Sequence, residues 1–263
     1  MKVLVTGATS LIGRHVVSRL VKRGDQVSVL QRRPSGIAGV HEICCDIADS
    51  GATGIAASDY NSGMHHGTDS QLASAMEGKD AVIHLAAKVS IAGRWDAFEA
   101  INIRGTERLI RMAKHCGVTR FVHISTPSVA HSGQSLIGAP AGAADPDHVR
   151  GYYARSKARG EQIALAANSQ DMKVIALRPH LVWGPGDTQL IQRIVDRARA
   201  GRLLLVGSAL ALIDTTYVDN AADAIVAGVD NAERAAGHAL VISNGQPRTV
   251  SEIMHRILHA ANL

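Results

Sequence analysis

The first thirteen residues constrain the fold of this chain more than any other stretch. Lys2 to Thr6 is a short apolar run that predicts a buried strand, and Gly7 to Gly13 is a turn that leads into a helix ending near Val21. A strand, a tight glycine turn and a helix N-terminus together leave backbone N–H groups and a positive dipole end free to bind a pyrophosphate. The chain therefore begins with a predicted nucleotide-binding turn.

Ser10 makes this turn unusual, because the middle position of the common pattern is glycine. Glycine lets the backbone approach a phosphate closely, whereas serine adds a Cβ and a hydroxyl. The turn must therefore accommodate the Ser10 side chain or use its hydroxyl as a donor. An ordinary strand-to-helix turn without a ligand is the alternative interpretation.

Composition excludes several classes of protein. The 263 residues carry a net charge of +5, but the cations are spread out and only 3% of residues are aromatic, so a base-stacking nucleic-acid surface is not expected. The N-terminus does not resemble a signal peptide, and the longest apolar stretch, Leu203 to Ile213, is too short for a bilayer span. We expect a cytoplasmic protein, and the adjacent His65 and His66 lack a third ligand for a metal.

Predicted strands and helices alternate along the first two thirds of the chain. This alternation predicts an α/β fold, a Rossmann-type doubly wound parallel sheet with helices on both faces. Residues 1–178 are expected to form mainly the dinucleotide-binding domain, and residues 179–263 mainly a small, shortened substrate-binding part interleaved with late sheet elements. Ser50 to Asp69 reads as an exposed loop or insertion. The predicted helices after the first are Gln71–Met76, Trp95–His115, Tyr152–Ala167, Leu190–Ala200 and Asn220–Val229, and the later short strands are Leu203–Val206, Thr215–Val218 and Ala239–Ile242.

The end of the second predicted strand, Gln26 to Leu30, indicates the type of nucleotide. An acidic residue after this strand binds a ribose 2′-hydroxyl, whereas arginine accommodates a 2′-phosphate. Here the residues are Gln31, Arg32 and Arg33, which favour NADP over NAD, with NAD as the less favoured cofactor. A solvated basic loop is the alternative interpretation.

Two later stretches carry residue types suited to proton transfer. The strand Phe121 to Ile124 delivers Ser125 and Thr126 at its carboxyl end, where ligands bind in a parallel sheet. Lys157 follows Tyr153 by four residues, so both side chains project from one face of a predicted helix, whereas Tyr152 points elsewhere. An ammonium on this face is expected to lower the pKa of the Tyr153 phenol.

These features, in this order, resemble the extended branch of the short-chain dehydrogenase/reductase superfamily. Thr6 to Gly13 is similar to its TGxxGxxG motif, and His84 to Ala87 and Tyr153-x-x-x-Lys157 match its later motifs. Arg178 to Leu190 and Ile213 to Asn220 are similar to the 3β-hydroxysteroid dehydrogenase family, including sterol-4-carboxylate 3-dehydrogenases and bacterial 2-alkyl-3-oxoalkanoic acid reductases.

The resemblance implies a role for each matching residue. Tyr153 is the expected general acid/base, Lys157 its partner and a ligand of the nicotinamide ribose, and Thr126 the hydroxyl that holds the substrate oxygen, with Ser125 in reserve. A helix cap is the alternative role for Thr126. A homodimer is a further family expectation. The expected cofactor contacts are Gly7, Thr9, Ser10, Leu11, Ile12, Gly13, Gln31, Arg32, Arg33, Asp46, Ile47, Leu85, Ala86, Ala87, Lys88, Ser125, Tyr153, Lys157 and Pro179.

The sequence thus predicts an NAD(P)-dependent oxidoreductase that interconverts a secondary alcohol and a ketone in a small molecule of the 3β-hydroxysteroid or 3-oxo acid type. Two alternatives stay open at this point. One is a nucleotide-sugar epimerase or dehydratase, which shares the fold and the tyrosine and lysine. The other is a catalytically silent NADP-binding sensor.

Overall fold

A parallel sheet runs through the centre of the molecule. The computed structural model describes residues 1–48, 68–90, 92–205 and 207–263. Within those ranges the sheet has seven strands: β1 (Lys2–Thr6), β2 (Gln26–Gln31), β3 (His41–Cys44), β4 (Ala81–His84), β5 (Arg120–Ile124), β6 (Lys173–Pro179) and β10 (Ala239–Ile242). Outside the sheet, β7 (Val182–Trp183) pairs with β9 (Thr216–Tyr217), and β8 (Leu212–Ile213) pairs with β11 (Arg248–Thr249).

Helices connect the strands and cover the sheet. They are α1 (Leu11–Arg23), α2 (Thr68–Met76), α3 (Trp95–Phe98), α4 (Thr106–His115), α5 (Gly151–Ala166), α6 (Ile191–Arg199), α7 (Val218–Asp230), α8 (Ala232–Ala235) and α9 (Val250–Ala260). A π-helix (Glu99–Gly105) joins α3 to α4, and a 3₁₀ helix (Pro127–Ala130) follows β5. No helix in the described ranges combines the length and apolarity needed to cross a lipid bilayer.

The strand order confirms the predicted Rossmann-type sheet. The order across the sheet is β10-β6-β5-β4-β1-β2-β3, and every pairing is parallel. The chain direction across the sheet therefore reverses between β1 and β4. In such sheets the ligand binds outside the carboxyl ends of the strands at this reversal. Thr6 and His84, which pair across the two strands, mark that position.

Two apolar cores lie on opposite faces of the sheet. Val3 and Val5 of β1 pack with residues of α1 and α7 on one face, and Leu4 packs with residues of α2, α4 and α5 on the other. Successive side chains of a strand point to opposite faces, so a strand buried on both sides needs a continuous apolar run. This requirement explains why the first strand could be recognised from its sequence.

The predicted helix over Trp95–His115 differs from the structure in its middle third. A π-helix interrupts it, and the carbonyl of Asn102 in that segment lies against α5. A Cβ atom at Gly160 of α5 would stand 2.3 Å from the Asn102 carbonyl oxygen. The two backbones can approach this closely only because position 160 is glycine. The α5 helix therefore contacts the π-helix directly through its backbone.

The prediction of a strand over Leu203–Val206 is wrong for the three residues that the structure describes. Residues 203–205 form no strand, and Leu204 is 85% exposed. A short apolar run forms a strand only when another strand is available to pair with it. The predicted loop over Ser50–Asp69, including His65 and His66, lies almost entirely outside the described residues. The short strand β9 lies within the predicted strand Thr215–Val218, whereas helix α9 and the strands β7, β8 and β11 were not predicted.

Candidate active site

The turn after β1 is built around two glycines that cannot be replaced without rearrangement. Gly7 has a φ of +72°, and a Cβ atom there would lie 2.7 Å from the backbone nitrogen of Ala86. A Cβ atom at Gly13 would lie 2.3 Å from the carbonyl oxygen of Gly7. The turn therefore packs against both the end of β4 and the first turn of α1. This packing places the N-terminus of α1 at the reversal point of the sheet.

Ser10 is the N-cap of α1. Its hydroxyl accepts a hydrogen bond of 3.0 Å from the backbone N–H of Gly13, and its own N–H donates to the carbonyl of Gly7. The first backbone N–H groups of a helix have no partner within the helix. With the N–H groups of residues 10 and 13 occupied, those of Leu11 and Ile12 remain without a partner in the described chain. They are suited to bind the phosphates of a dinucleotide.

The end of β2 combines an unpartnered amide with two exposed cations. Neither polar atom of the Gln31 amide has a hydrogen-bond partner among the described residues, although both atoms are buried. Arg32 and Arg33 are exposed, and the described residues offer neither of them an ion pair. Buried polar groups normally have partners. The amide and the two guanidinium groups are therefore available to bind a polar ligand.

Asp46 and Ile47, two of the predicted cofactor contacts, lie in the segment after β3. The Asp46 carboxylate accepts a hydrogen bond of 2.9 Å from the N–H of Ala48, and the Ile47 side chain is buried. The Ile47 carbonyl accepts a hydrogen bond of 2.9 Å from Arg108. These contacts fix the segment after β3 beside the sheet. Thr9 of the phosphate turn is exposed.

The segment after β4 is held by bonds to its neighbours on both sides. The Ala86 N–H donates to the Thr6 hydroxyl at 3.1 Å, and the Leu85 N–H donates to the Thr6 carbonyl at 3.2 Å. The Lys88 N–H donates to the side-chain oxygen of Asn102 at 2.8 Å, and the Asn102 amide donates back to the Lys88 carbonyl at 3.1 Å. Residues 85–88, including Ala87, thus form a fixed wall beside the glycine turn.

Buried His84 connects this wall to the π-helix. Its Nδ1 lies 2.8 Å from the Thr6 hydroxyl, and its Nε2 lies 3.0 Å from the Thr106 hydroxyl. Because the Thr106 hydroxyl donates to the Asn102 carbonyl, it accepts from His84, which places the imidazole proton on Nε2. Burial, with a smaller contribution from nearby Lys157, lowers the pKa of His84 to about 3. The ring is therefore neutral.

Tyr153 and Thr126 meet at the carboxyl end of β5. The Tyr153 phenol lies close to the Thr126 hydroxyl. Burial raises the pKa of the Tyr153 phenol above its ordinary value, and the nearby Thr126 hydroxyl opposes this change. The Lys157 ammonium, on the same face of α5 as Tyr153, donates a hydrogen bond of 2.5 Å to the carbonyl oxygen of Ile124. Burial lowers the pKa of Lys157 to about 8.

The two hydroxyls after β5 differ in their surroundings. Thr126 accepts a bond from the Ser128 N–H at 3.4 Å and caps the 3₁₀ helix, so it has the capping role as well as the contact with Tyr153. The Ser125 hydroxyl is buried without a partner in the described chain, while its N–H donates to the Leu177 carbonyl. Pro179 ends β6 beside this group and is buried. No group of three or more metal-ligating side chains occurs in the described ranges.

The side chains of Tyr152 and Tyr153 point in different directions from α5, as expected for adjacent residues of a helix. Tyr152 is 49% exposed, and its ring lies 5.6 Å from that of Trp95 in an edge-to-face contact. Tyr153 instead faces Thr126, with Lys157 on the same side of α5. Asn102 supports this face, because its amide donates to the Ser156 hydroxyl at 2.9 Å and that hydroxyl donates to the Tyr153 carbonyl.

Sequence reasoning missed two buried ionisable groups beneath this face. Glu161 of α5 forms a bidentate ion pair with Arg178 of β6, and both side chains are 1% exposed. The position of Glu161 could have been inferred from the spacing, since it follows Lys157 by four residues and therefore lies on the same face of the helix.

Comparison with known proteins adds the family context. The model of the NAD dependent epimerase/dehydratase family matches residues 3–243. A 2-alkyl-3-oxoalkanoate reductase from Stenotrophomonas maltophilia is 36% identical over 99% of this chain and 76% of that protein. A 3-beta-hydroxysteroid dehydrogenase from Mycolicibacterium neoaurum is 26% identical over 98% of this chain and 70% of its own length.

A solved structure extends this similarity to the fold. It is a dTDP-glucose 4,6-dehydratase double mutant from Streptomyces venezuelae with NAD bound. It superposes with a TM-score of 0.78 at 25% identity, covering 100% of this chain and 81% of that one.

Proposed function

This chain belongs to the NAD dependent epimerase/dehydratase family and is an NAD(P)-dependent oxidoreductase of the extended short-chain type, and we propose that it reduces a 3-oxo acid to the 3-hydroxy acid. The substrate class is suggested by the reductase from Stenotrophomonas maltophilia, whose name specifies a 2-alkyl-3-oxoalkanoate. The closeness of the Tyr153 phenol to the Thr126 hydroxyl carries the proposal, because it sets a proton donor beside a group that can hold a carbonyl oxygen.

In the proposed reaction the chain binds the ketone oxygen and supplies one proton. Thr126 positions the oxygen, and Tyr153 donates its phenolic proton to it as the alkoxide forms. Lys157 provides the positive charge that stabilises the resulting phenolate. When bound, the nicotinamide cofactor supplies the hydride to the carbonyl carbon. The product is a secondary alcohol.

The protonation state of Tyr153 supports reduction as the favoured direction. Burial raises the pKa of its phenol, so the group keeps its proton at neutral pH. A general acid must carry a proton before the reaction, whereas a general base must not. The site is therefore prepared for the transfer of a proton to the ketone oxygen.

NADP is the cofactor that the end of β2 favours. The unpartnered amide of Gln31 accepts or donates hydrogen bonds and carries no charge that would repel a 2′-phosphate. Arg32 and Arg33 offer exposed guanidinium groups beside it, and guanidinium pairs well with phosphate. The Leu11 and Ile12 N–H groups would hold the pyrophosphate.

Neither alternative from the sequence analysis is favoured. The two relatives are named as a reductase and a dehydrogenase, not as nucleotide-sugar enzymes or sensors. Tyr153, Thr126 and Lys157 lie together in an arrangement suited to proton transfer, which a silent sensor would not need. A tightly retained NAD in the purified protein would instead favour the epimerase or dehydratase reaction.

The test is turnover of 3-oxo acids of increasing chain length with NADPH or NADH, followed at 340 nm. We expect NADPH-dependent reduction by the wild-type chain and a loss of at least about a hundredfold in Tyr153→Phe. Tyr152→Phe is the matched control. The ring of Tyr152 contacts Trp95 and faces away from Thr126, so this variant should retain activity. Binding of NADPH by calorimetry without turnover of any ketone would contradict the proposal.

A further inference from the structure

A fully buried ion pair lies beneath the face of α5 that carries Tyr153 and Lys157. The Arg178 guanidinium donates two hydrogen bonds to the Glu161 carboxylate, Nε to Oε2 at 2.9 Å and Nη2 to Oε1 at 2.5 Å. Its remaining nitrogen, Nη1, donates to the carbonyl oxygen of Ala141. Burying two charges is costly even when they are well paired, and an apolar pair is often as stable. Stability alone therefore does not explain this pair.

The pair has a direct relation to Lys157. Glu161 follows Lys157 by one helical turn, and both residues are buried. The other ionisable side chains around Lys157 are those of Tyr153 on α5, His84 on β4 and His123 on β5, and burial keeps all three uncharged at neutral pH. Arg178 on β6 faces it from beyond Glu161. Glu161 is therefore the negative charge among these groups.

Arg178 also contacts the loop that precedes α5. Ala141 belongs to residues 131–150, which connect the hydroxyls after β5 to the start of α5. The Gln162 amide also donates to this loop, at the carbonyl of Ala144, 2.8 Å away. The loop that borders Thr126 and Tyr153 is thus anchored to the same helix that carries Lys157.

We propose that Glu161 is a positioning residue that holds the positive charge on buried Lys157, and that Arg178 couples this charge pair to the loop at Ala141. The inference builds on the proposed function, because it assigns Lys157 the task of stabilising the Tyr153 phenolate. Without a carboxylate at position 161, the ammonium would lie in an apolar interior with only a carbonyl dipole as its partner. The lysine would then lose its proton near neutral pH.

The first test measures Lys157 itself and needs no substrate. In protein with ¹³C-labelled lysine, the Cε resonance of Lys157 is assigned by its absence from Lys157→Arg, and its shift is followed against pH. We expect the midpoint to fall by about one pH unit or more in Glu161→Gln, because the favourable opposite charge is removed. Glu161→Asp should restore most of the wild-type midpoint. An unchanged midpoint in a folded Glu161→Gln protein would overturn the proposal.

A second variant distinguishes an effect on Lys157 from a failure to fold. Glu161→Met combined with Arg178→Met removes both charges and leaves neither one buried alone, so this protein should fold. Its Lys157 midpoint should also fall, but by less than in Glu161→Gln, because the repulsive charge of Arg178 is removed together with the carboxylate. A merely structural pair would lower the melting temperature without moving the midpoint, which would also overturn the proposal.

Turnover supplies an independent readout. If the wild type reduces 3-oxo acids, Glu161→Gln should lose about tenfold more of its kcat at pH 8 than at pH 6, since lysine deprotonation increases with pH. A pH-independent loss of kcat would contradict the role assigned to Glu161. A wild type that titrates as expected but turns over no ketone would refute the proposed function and leave the charge relation between Glu161 and Lys157 supported.

Discussion

The ammonium of Lys157 donates a 2.5 Å hydrogen bond to the carbonyl oxygen of Ile124. Ile124 is the last residue of β5, and Ser125 and Thr126 follow it directly. The bond therefore ties α5 to the strand end that carries the hydroxyl pair. Because Tyr153 lies on the same face of α5, this single contact helps to fix the spacing between Tyr153 and Thr126.

Thr126 offers the first prediction, because a single hydroxyl both faces Tyr153 and caps the 3₁₀ helix. Thr126→Val removes the hydroxyl that faces Tyr153 and caps the 3₁₀ helix, whereas Thr126→Ser keeps it. We expect a loss of about a hundredfold in kcat for valine, typical of removing one donor to a developing oxyanion. Its unfolding free energy should fall by about 1 kcal/mol from the lost cap. Equal kcat values for both variants would exclude Thr126 from the reaction.

Ser10 provides a prediction about binding. Its hydroxyl caps α1 through the Gly13 N–H, so Ser10→Ala should lower the unfolding free energy in urea by about 1 kcal/mol, and Ser10→Gly by a few tenths. Phosphate binding relies on the N–H groups of Leu11 and Ile12, so the NADPH affinity measured by calorimetry should stay unchanged in both variants. Weaker binding by a folded Ser10→Ala protein would show that the hydroxyl contacts the cofactor.

Gln31 controls the proposed preference between cofactors. Gln31→Asp places a carboxylate where the 2′-phosphate of NADPH would lie, and the like charges repel each other. We expect NADPH affinity to fall about tenfold or more, while NADH affinity is retained or improves through a bond to the ribose 2′-hydroxyl. Arg32→Ala is the comparison variant, which should weaken NADPH binding and leave NADH binding unchanged. Equal effects on both cofactors would place Gln31 away from the ribose.

Gly160 tests the contact between α5 and the π-helix. Gly160→Ala puts a Cβ atom 2.3 Å from the Asn102 carbonyl, and overpacking of this kind costs about 1–3 kcal/mol. Turnover should fall as well, because Asn102 supports Tyr153 through Ser156. Thermal unfolding and kinetics of Arg159→Ala, an exposed neighbour on α5, provide the control. A fully stable Gly160→Ala protein would mean that the two helices separate without cost.

Spacing and apolar runs were enough to predict the features that depend on local chain geometry. The strand over Lys2–Thr6, the turn to Gly13 and the common helix face of Tyr153 and Lys157 follow from periodicities of two and 3.6 residues. The structure confirms the predicted sheet, and its order places the carboxyl ends of β1, β4 and β5 at one edge. The assigned roles of the site residues remain predictions.

Other features depend on contacts between distant residues, which a single sequence does not show. The π-helix at Asn102 was not predicted, because Trp95 to His115 was interpreted as one continuous α-helix. Glu161 and Arg178 are charged residues of a kind that is normally exposed, and only the fold brings them together in the interior. Leu204 has the apolar character of a strand residue, but no strand pairs with its segment.

Acid should destabilise this protein through two buried histidines. Burial lowers the pKa of His84 to about 3 and that of His123 well below its ordinary value, so both bind protons more tightly in the unfolded chain. Their contribution to stability is complete above an unfolded pKa of about 6.5 and is lost as the pH falls toward 3, by up to about 1.4 kcal/mol per pH unit for each ring. His123 has no hydrogen-bond partner among the described residues, so His123→Leu should remove its share of this slope without leaving another group unpaired. Urea unfolding between pH 7 and pH 4 measures the slope of the unfolding free energy against pH. His115→Gln, at an exposed position, is the control. An unchanged slope in His123→Leu would mean that His123 is already protonated in the folded chain.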